Sequence, residues 1–158
     1  MEDKKPQKTK KEVYLEYLTA NCYKPETPED NLITFKRQGF HYLMATYEDD
    51  PQFFHLSIPD FAPAFHDDSE LNTAIQIANW LTAKFKGAKV IVVDGDVHAN
   101  LELFFGDPSE FVPIFERATD ILASAVFEFR QHFKKALEEQ QEDGDDDSPS
   151  NDHAHFEN

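Results

Sequence analysis

Seven histidines, one cysteine and a large surplus of carboxylates are the side chains through which this chain could do chemistry. Cys22 is the only thiol, which excludes an internal disulfide and any cysteine-based zinc site. Its one basic neighbour in sequence is Lys24. A reactive thiolate needs electropositive surroundings, so Cys22 reads as a structural thiol suited to a reducing compartment. His41 and His55 fall in two adjacent strands. A four-residue connection at 48–51 would set Met44 opposite His55 and His41 opposite Ile58. Alternation along the strands then places the two imidazoles on opposite faces, where they cannot share a metal. Asp94, Asp96 and His98 could be drawn as a metal loop, yet a hairpin turn accounts for both aspartates, with His98 opposite Val93. His66, Asp67 and Asp68 form a loop cluster, and His153 and His155 lie near the C-terminus. Asp143, Asp145 and Asp147 have the opening spacing of a calcium loop but lack its glycine and closing glutamate. The glycines are isolated at 39, 87, 95, 106 and 144, so no phosphate-cradling loop is present, and no Gly-x-Ser-x-Gly elbow occurs. No catalytic residue, no metal site and no cofactor is expected, and the chain reads as non-enzymatic.

Charge narrows the partners. The net charge of −16 over 158 residues repels phosphate backbones, so nucleic acid is not an expected partner. No apolar run is long enough to cross a bilayer, and none follows the first residues as a secretory signal would. No membrane association and a cytoplasmic location are the expectations. The charge is uneven. Lysines 4, 5, 8, 10 and 11 make the start basic, and residues 142–147 are strongly acidic. Residues 1–8 read as a disordered basic arm, 9–141 as a single domain, and 142–158 as a disordered acidic tail.

Periodicity supplies the elements that would position these groups. Val13, Tyr14, Tyr17 and Leu18 recur at helical spacing over 9–20. Pro25 and Pro28 break the pattern. Strands follow over 32–37, 40–47 and 52–58, with Gln38-Gly39 and residues 48–51 as turns. A helix over 69–85 is capped by Asp68 or Ser69 and ended by Gly87. Strands over 89–93 and 97–105 flank the turn Asp94-Gly95-Asp96. Asp107, Pro108 and Glu110 have the signature of a capped helix start, and Pro113 kinks the helix or moves its start later. The stripe from Phe111 to Phe133 carries that last helix to about residue 139. The order α-β-β-β-α-β-β-α, with hairpin-joined strands, predicts an α+β fold built on a five-stranded antiparallel sheet.

This order, the hairpins 40–58 and 89–105, and the long final helix from Asp107 resemble the YbjN family, over about residues 9–140. The resemblance implies a bacterial protein with the fold of class I type III secretion chaperones. It implies a small, often dimeric module that binds protein, and it brings no catalytic residues.

Apolar surface exceeds what one core requires. On the helix over 69–85, Leu71, Ala74, Ile75, Ala78, Leu81 and Phe85 make one face, while Trp80 and its neighbour Ile77 lie opposite. Phe127 lies off the stripe of the last helix. The register above puts Leu43, Ala45, Phe54, Leu56 and Ile58 on one sheet face. It puts Ile33, Phe35, Phe40, Tyr42, Met44 and Phe53 on the other, so neither face is polar. Ile77, Trp80, Phe127, Tyr42 and Phe53 are therefore the expected contacts of a partner or a second subunit. The function expected is a protein-interaction or chaperone-like module, a homodimer, that captures a segment of another protein. The alternative is a regulatory, ligand-sensing domain whose pocket between sheet and helices uses Tyr42, His55, His98 and Asn100.

Overall fold

The computed structural model describes residues 7–145, and the side chains of residues 7–142. Its elements are α1 (Lys10–Ala20), β1 (Glu26–Glu29), β2 (Leu32–Arg37), β3 (Phe40–Ala45), β4 (Phe53–Ile58), α2 (Asp68–Lys84), β5 (Ala88–Val93), β6 (Asp96–Phe104), a 3-10 turn (Pro108–Ile114) and α3 (Phe115–Asp145). The strands form one antiparallel sheet in the order β1-β2-β3-β4-β6-β5. The fold is α+β, with six strands rather than the expected five. The added strand, β1, has the sequence Glu-Thr-Pro-Glu and no buried residue. It lies at an edge of the sheet, where proline is tolerated because one side of the strand needs no donor. None of the described helices is long and apolar enough to cross a membrane.

The helix ends follow local chemistry. Thr9 caps α1 in a reciprocal box with Glu12. Asp67, one residue earlier than expected, caps α2 by accepting from the Glu70 amide. Asp107 and Glu110 form the expected box, but it opens the 3-10 turn. Pro113 lies inside that turn, and α3 starts at Phe115. From there α3 runs for 31 residues, which is about 46 Å. Glu142, Asp143 and Asp145 continue this helix. Lys8, assigned to the basic arm, pairs with Glu16 of α1 at 2.6 Å. Residues 1–6 of that arm and 146–158 of the acidic tail, with Asp147, His153 and His155, lie outside the described residues.

The register of β3 with β4 differs from expectation by one residue. Met44 faces Leu56, Ala45 faces His55 and Leu43 faces Ser57. Such a slip moves a whole strand's side chains to the other face. Ile33, Phe35, Tyr42, Met44, Phe54, Leu56 and Ile58 therefore share one face, and all are buried. All three helices pack on this face. Tyr14 of α1 meets Phe54, while α2 and α3 lie against β4, β5 and β6. The expectation of two apolar sheet faces is overturned: the other face is mixed. It carries Thr34, Lys36, His41, His55, Ser57, Asn100 and Glu102 among its apolar residues, and no described helix packs on it.

Candidate partner-binding surface

Two expected contact residues prove to be structural. The expected placement of Tyr42 on a partner surface is corrected, because it lies on the core face at 1% exposure. Its hydroxyl donates to the Thr119 carbonyl of α3 at 3.0 Å, and burial pushes the phenol up to about 12. Ile77 is half-buried and packs against the core. The α2 core face runs through Ala74, Ile77, Ala78 and Leu81, and Ile75 is the residue turned outward. Periodicity could not separate the two isoleucines, since they lie on either side of the same stripe.

Trp80 and Phe127 are exposed, at 44% and 58%, and they belong to one surface. A groove of about 760 Å3 runs along the outside of α3 beside the end of α2. Phe40, Lys84, Phe127, Glu128 and His132 line it. Trp80 stands at its border, edge-on to His132 with ring centres 4.7 Å apart. Lys84 places its ammonium 4.9 Å from the Trp80 ring centre and pairs with Glu128 at 2.5 Å. Arg37 and Asp120 make a second ion pair at 2.5 Å, and Asp120 also lines the groove. Both ion pairs are satisfied locally, so the groove presents apolar rings between neutralised charges. Such a surface binds through apolar contact, with charge setting orientation. Lys84 and His132 do not stand out in the sequence. Their spacing from Trp80 and Phe127 carries a signal only once α2 and α3 are known to be neighbours.

Phe53 lies on the helix-free face of the sheet. It is tilted against Phe104 at 5.7 Å and stacked on His55 at 6.0 Å. Phe104, at 73%, is the most exposed large apolar residue described. The pair Phe104-Phe105 at a strand end contained this signal, because alternation sends one ring away from the core.

The histidines take separate roles. His41 and His55 share the helix-free face, which corrects their expected separation. His98 faces Ile91 rather than Val93, and its Nδ1 accepts from the Asp60 amide at 3.3 Å. Asp94 and Gly95 both have positive φ and form the tight turn between β5 and β6. His66 meets Glu70 at 3.0 Å beside the α2 cap, and its hydrogen bonds hold that carboxylate below its usual range. No group of three or more metal-ligating side chains converges among the described residues. Cys22 and His41 line a common groove of about 510 Å3, but no hydrogen bond joins them. His55 and Asn100 are neighbours, while Tyr42 is on the opposite face. A sensing pocket would need the space between sheet and helices. Tyr14, Tyr42, Phe54, Phe111, Phe115 and Phe129 fill it.

Burial lowers the His55 pKa from its ordinary value of 6.5. A hydrogen bond with Asn100 and the Glu102 charge oppose the shift, and Lys89 adds to it. A histidine whose folded pKa is depressed binds its proton more weakly in the native state. Stability tied to His55 is complete above 6.5 and declines as the pH falls below it. Thermal midpoints measured between pH 8 and pH 5, spanning about three units around the unperturbed imidazole value, will fall less steeply for His55→Gln than for the native chain. Compared with known proteins, the sequence matches no family model and no curated protein.

Proposed function

We propose that this chain is a non-enzymatic protein-interaction module, chaperone-like in action, that captures a segment of another protein in the groove between α2 and α3. The observation that carries this reading is the convergence of Trp80, Phe127, Phe40 and Lys84 on one open surface. Buried and half-exposed aromatic rings of this kind dominate binding energy when a partner dehydrates them. The groove follows α3 from Asp120 to His132, about 18 Å of helix, which suits a short helical or extended segment. The net charge of −16 steers cationic partners toward the molecule. The segment therefore pairs apolar anchors with lysine or arginine. The chain keeps the succession α-β-β-β-α-β-β-α once β1 is set aside, and the proposed likeness to the YbjN family and to the class I type III secretion chaperone fold rests on that order.

Trp80 is the only tryptophan, so its emission reports directly on this groove. Titration with an amphipathic leucine–lysine peptide will shift the emission to shorter wavelength, and a leucine–glutamate peptide of the same pattern will bind more weakly. Phe127→Asp will weaken binding by about 2 kcal/mol, roughly thirtyfold. Unchanged emission with both peptides, or equal affinity in the variant, would overturn the assignment.

A further inference from the structure

We infer that His132 makes the α2–α3 groove sensitive to pH, because its protonation sets two cations in competition for Glu128 and turns the Trp80 end of the groove positive. The effect on binding rests on the capture reading above. The competition itself belongs to the free chain.

The contact comes first. The imidazole is exposed and stands edge-on to Trp80, with ring centres 4.7 Å apart. Imidazole is the side chain that gains and loses charge between about pH 5 and 8. None of the other described histidines lines this groove.

Glu128 supplies the two alternatives. It pairs with Lys84 between the two helices at 2.5 Å. It also lies four residues before His132 on α3, the spacing and order at which a carboxylate meets a cation one helical turn on. While His132 is neutral, Lys84 holds the carboxylate without a competitor. Once His132 is charged, a pair within α3 competes with the pair between α2 and α3.

Lys84 adds repulsion. Its ammonium is 4.9 Å from the centre of the same Trp80 ring. An imidazolium on that ring sets a second positive charge close to the first, and the two repel. Both effects act in one direction, since Lys84 loses part of its partner and meets a like charge. The other charges of this region are engaged elsewhere. Lys135, one turn further on α3, is drawn to Glu139 at 3.6 Å. Arg130 is held by the Phe61 carbonyl, and Asp120 by Arg37. Gln38 and Phe40, which line the groove from the β2–β3 hairpin, carry no charge.

A segment carrying lysine or arginine is therefore held at higher pH and released at lower pH. A segment carrying glutamate follows the opposite course. By linkage, a bound cationic segment weakens proton binding at His132.

Trp80, the only tryptophan, reads the change in the free chain. An imidazolium against an indole quenches its emission, so emission will fall in a step between about pH 8 and 5.5. His132→Gln will abolish the step, and His55→Gln will retain it. Glu128→Gln will move it to lower pH and Lys84→Gln to higher pH, since the first removes the attracting charge and the second the repelling one. Calorimetry over the same range will show the leucine–lysine peptide losing affinity about fivefold as the pH falls, and the leucine–glutamate peptide gaining a similar factor. His132→Gln will flatten both trends, and His132→Lys will hold the low-pH affinities throughout. Unfolding at low pH would weaken both peptides together, and circular dichroism at each pH checks for it. A folded chain with no emission step overturns the proposal, as does a step that His132→Gln retains or that the Glu128 and Lys84 variants leave in place. So do affinities for the two peptides that change in the same direction or not at all. If neither peptide binds at any pH, the capture reading fails, and the competition for Glu128 stands or falls on the emission step and its displacement in the variants.

Discussion

Phe111→Ala will lower the free energy of unfolding by about 3–5 kcal/mol. Phe111 is fully buried, and its ring meets four others. Tyr14 is 4.8 Å away, Tyr17 5.0 Å, Phe54 5.8 Å and Phe115 5.9 Å, centre to centre. These rings belong to α1, β4 and the start of α3, so one side chain joins three elements. Truncation removes apolar contact from all of them together. The void cannot close easily, because the 3-10 turn that carries Phe111 is held by the Asp107–Glu110 box and by Pro108 and Pro113. The cost of a large-to-small change is greatest where the surroundings cannot collapse. Urea unfolding will show a lower midpoint with an unchanged slope, the mark of lost stability rather than an altered unfolded state. Phe127→Ala will change stability by less than about 0.5 kcal/mol, because that ring is mostly in solvent.

What the sequence disclosed depended on whether the signal was local. The capping box at Asp107 is legible directly, since the interacting groups are three residues apart, and the box of the same spacing at Thr9 appears only in the structure. The apolar stripe of α3 was equally plain. Strand register is not local in this sense. The connection between β3 and β4 leaves the ladder after Ala45, where the Thr46 amide turns to the Asn31 carbonyl at 2.8 Å. The strand pattern of alternating residues continues to Tyr47 in sequence and hides this departure. The pattern therefore predicts a four-residue connection, and its one-residue slip distributes core residues over both faces of the sheet. Correct register gathers them on one face and leaves the other mixed. The candidate surface was legible to a similar extent. Trp80 and Phe127 were identified as apolar residues off the core stripes, which is a property of each helix alone. Their convergence with Lys84, Glu128 and His132 depends on how α2 packs on α3, where Thr73 meets Gln140, Trp80 meets His132 and Lys84 meets Glu128. The slipped register puts Tyr42 and Phe53 on one face. The sheet separates them, placing one in the core and the other on the helix-free face.

Lys10→Met will cost about 2 kcal/mol, more than a lysine on the surface of an acidic protein would suggest. Lys10 is 3% exposed despite its charge. Its ammonium donates to the Asp50 carbonyl at 2.6 Å and to the Phe53 carbonyl at 2.8 Å, tying the start of α1 to the β3–β4 connection. Burial lowers its pKa, and the nearby carboxylates of Asp50, Glu48 and Asp49 oppose that shift. Hydrogen bonds from a charged donor are worth roughly 1.5–3 kcal/mol each. Methionine keeps the length and apolar stem but removes the ammonium from both carbonyls, leaving the Asp50 carbonyl only the Phe53 amide at 3.2 Å. Part of the loss is offset, because methionine avoids the dehydration that the ammonium requires. The connection also fixes the β3–β4 register, so the variant reports on more than one contact. Amide hydrogen exchange across 46–53 will accelerate in Lys10→Met beyond the change expected from global stability alone. Unfolding measured in parallel separates the two effects. If exchange in this segment rises only as much as in the core strands, Lys10 contributes to overall stability without specifically anchoring the connection.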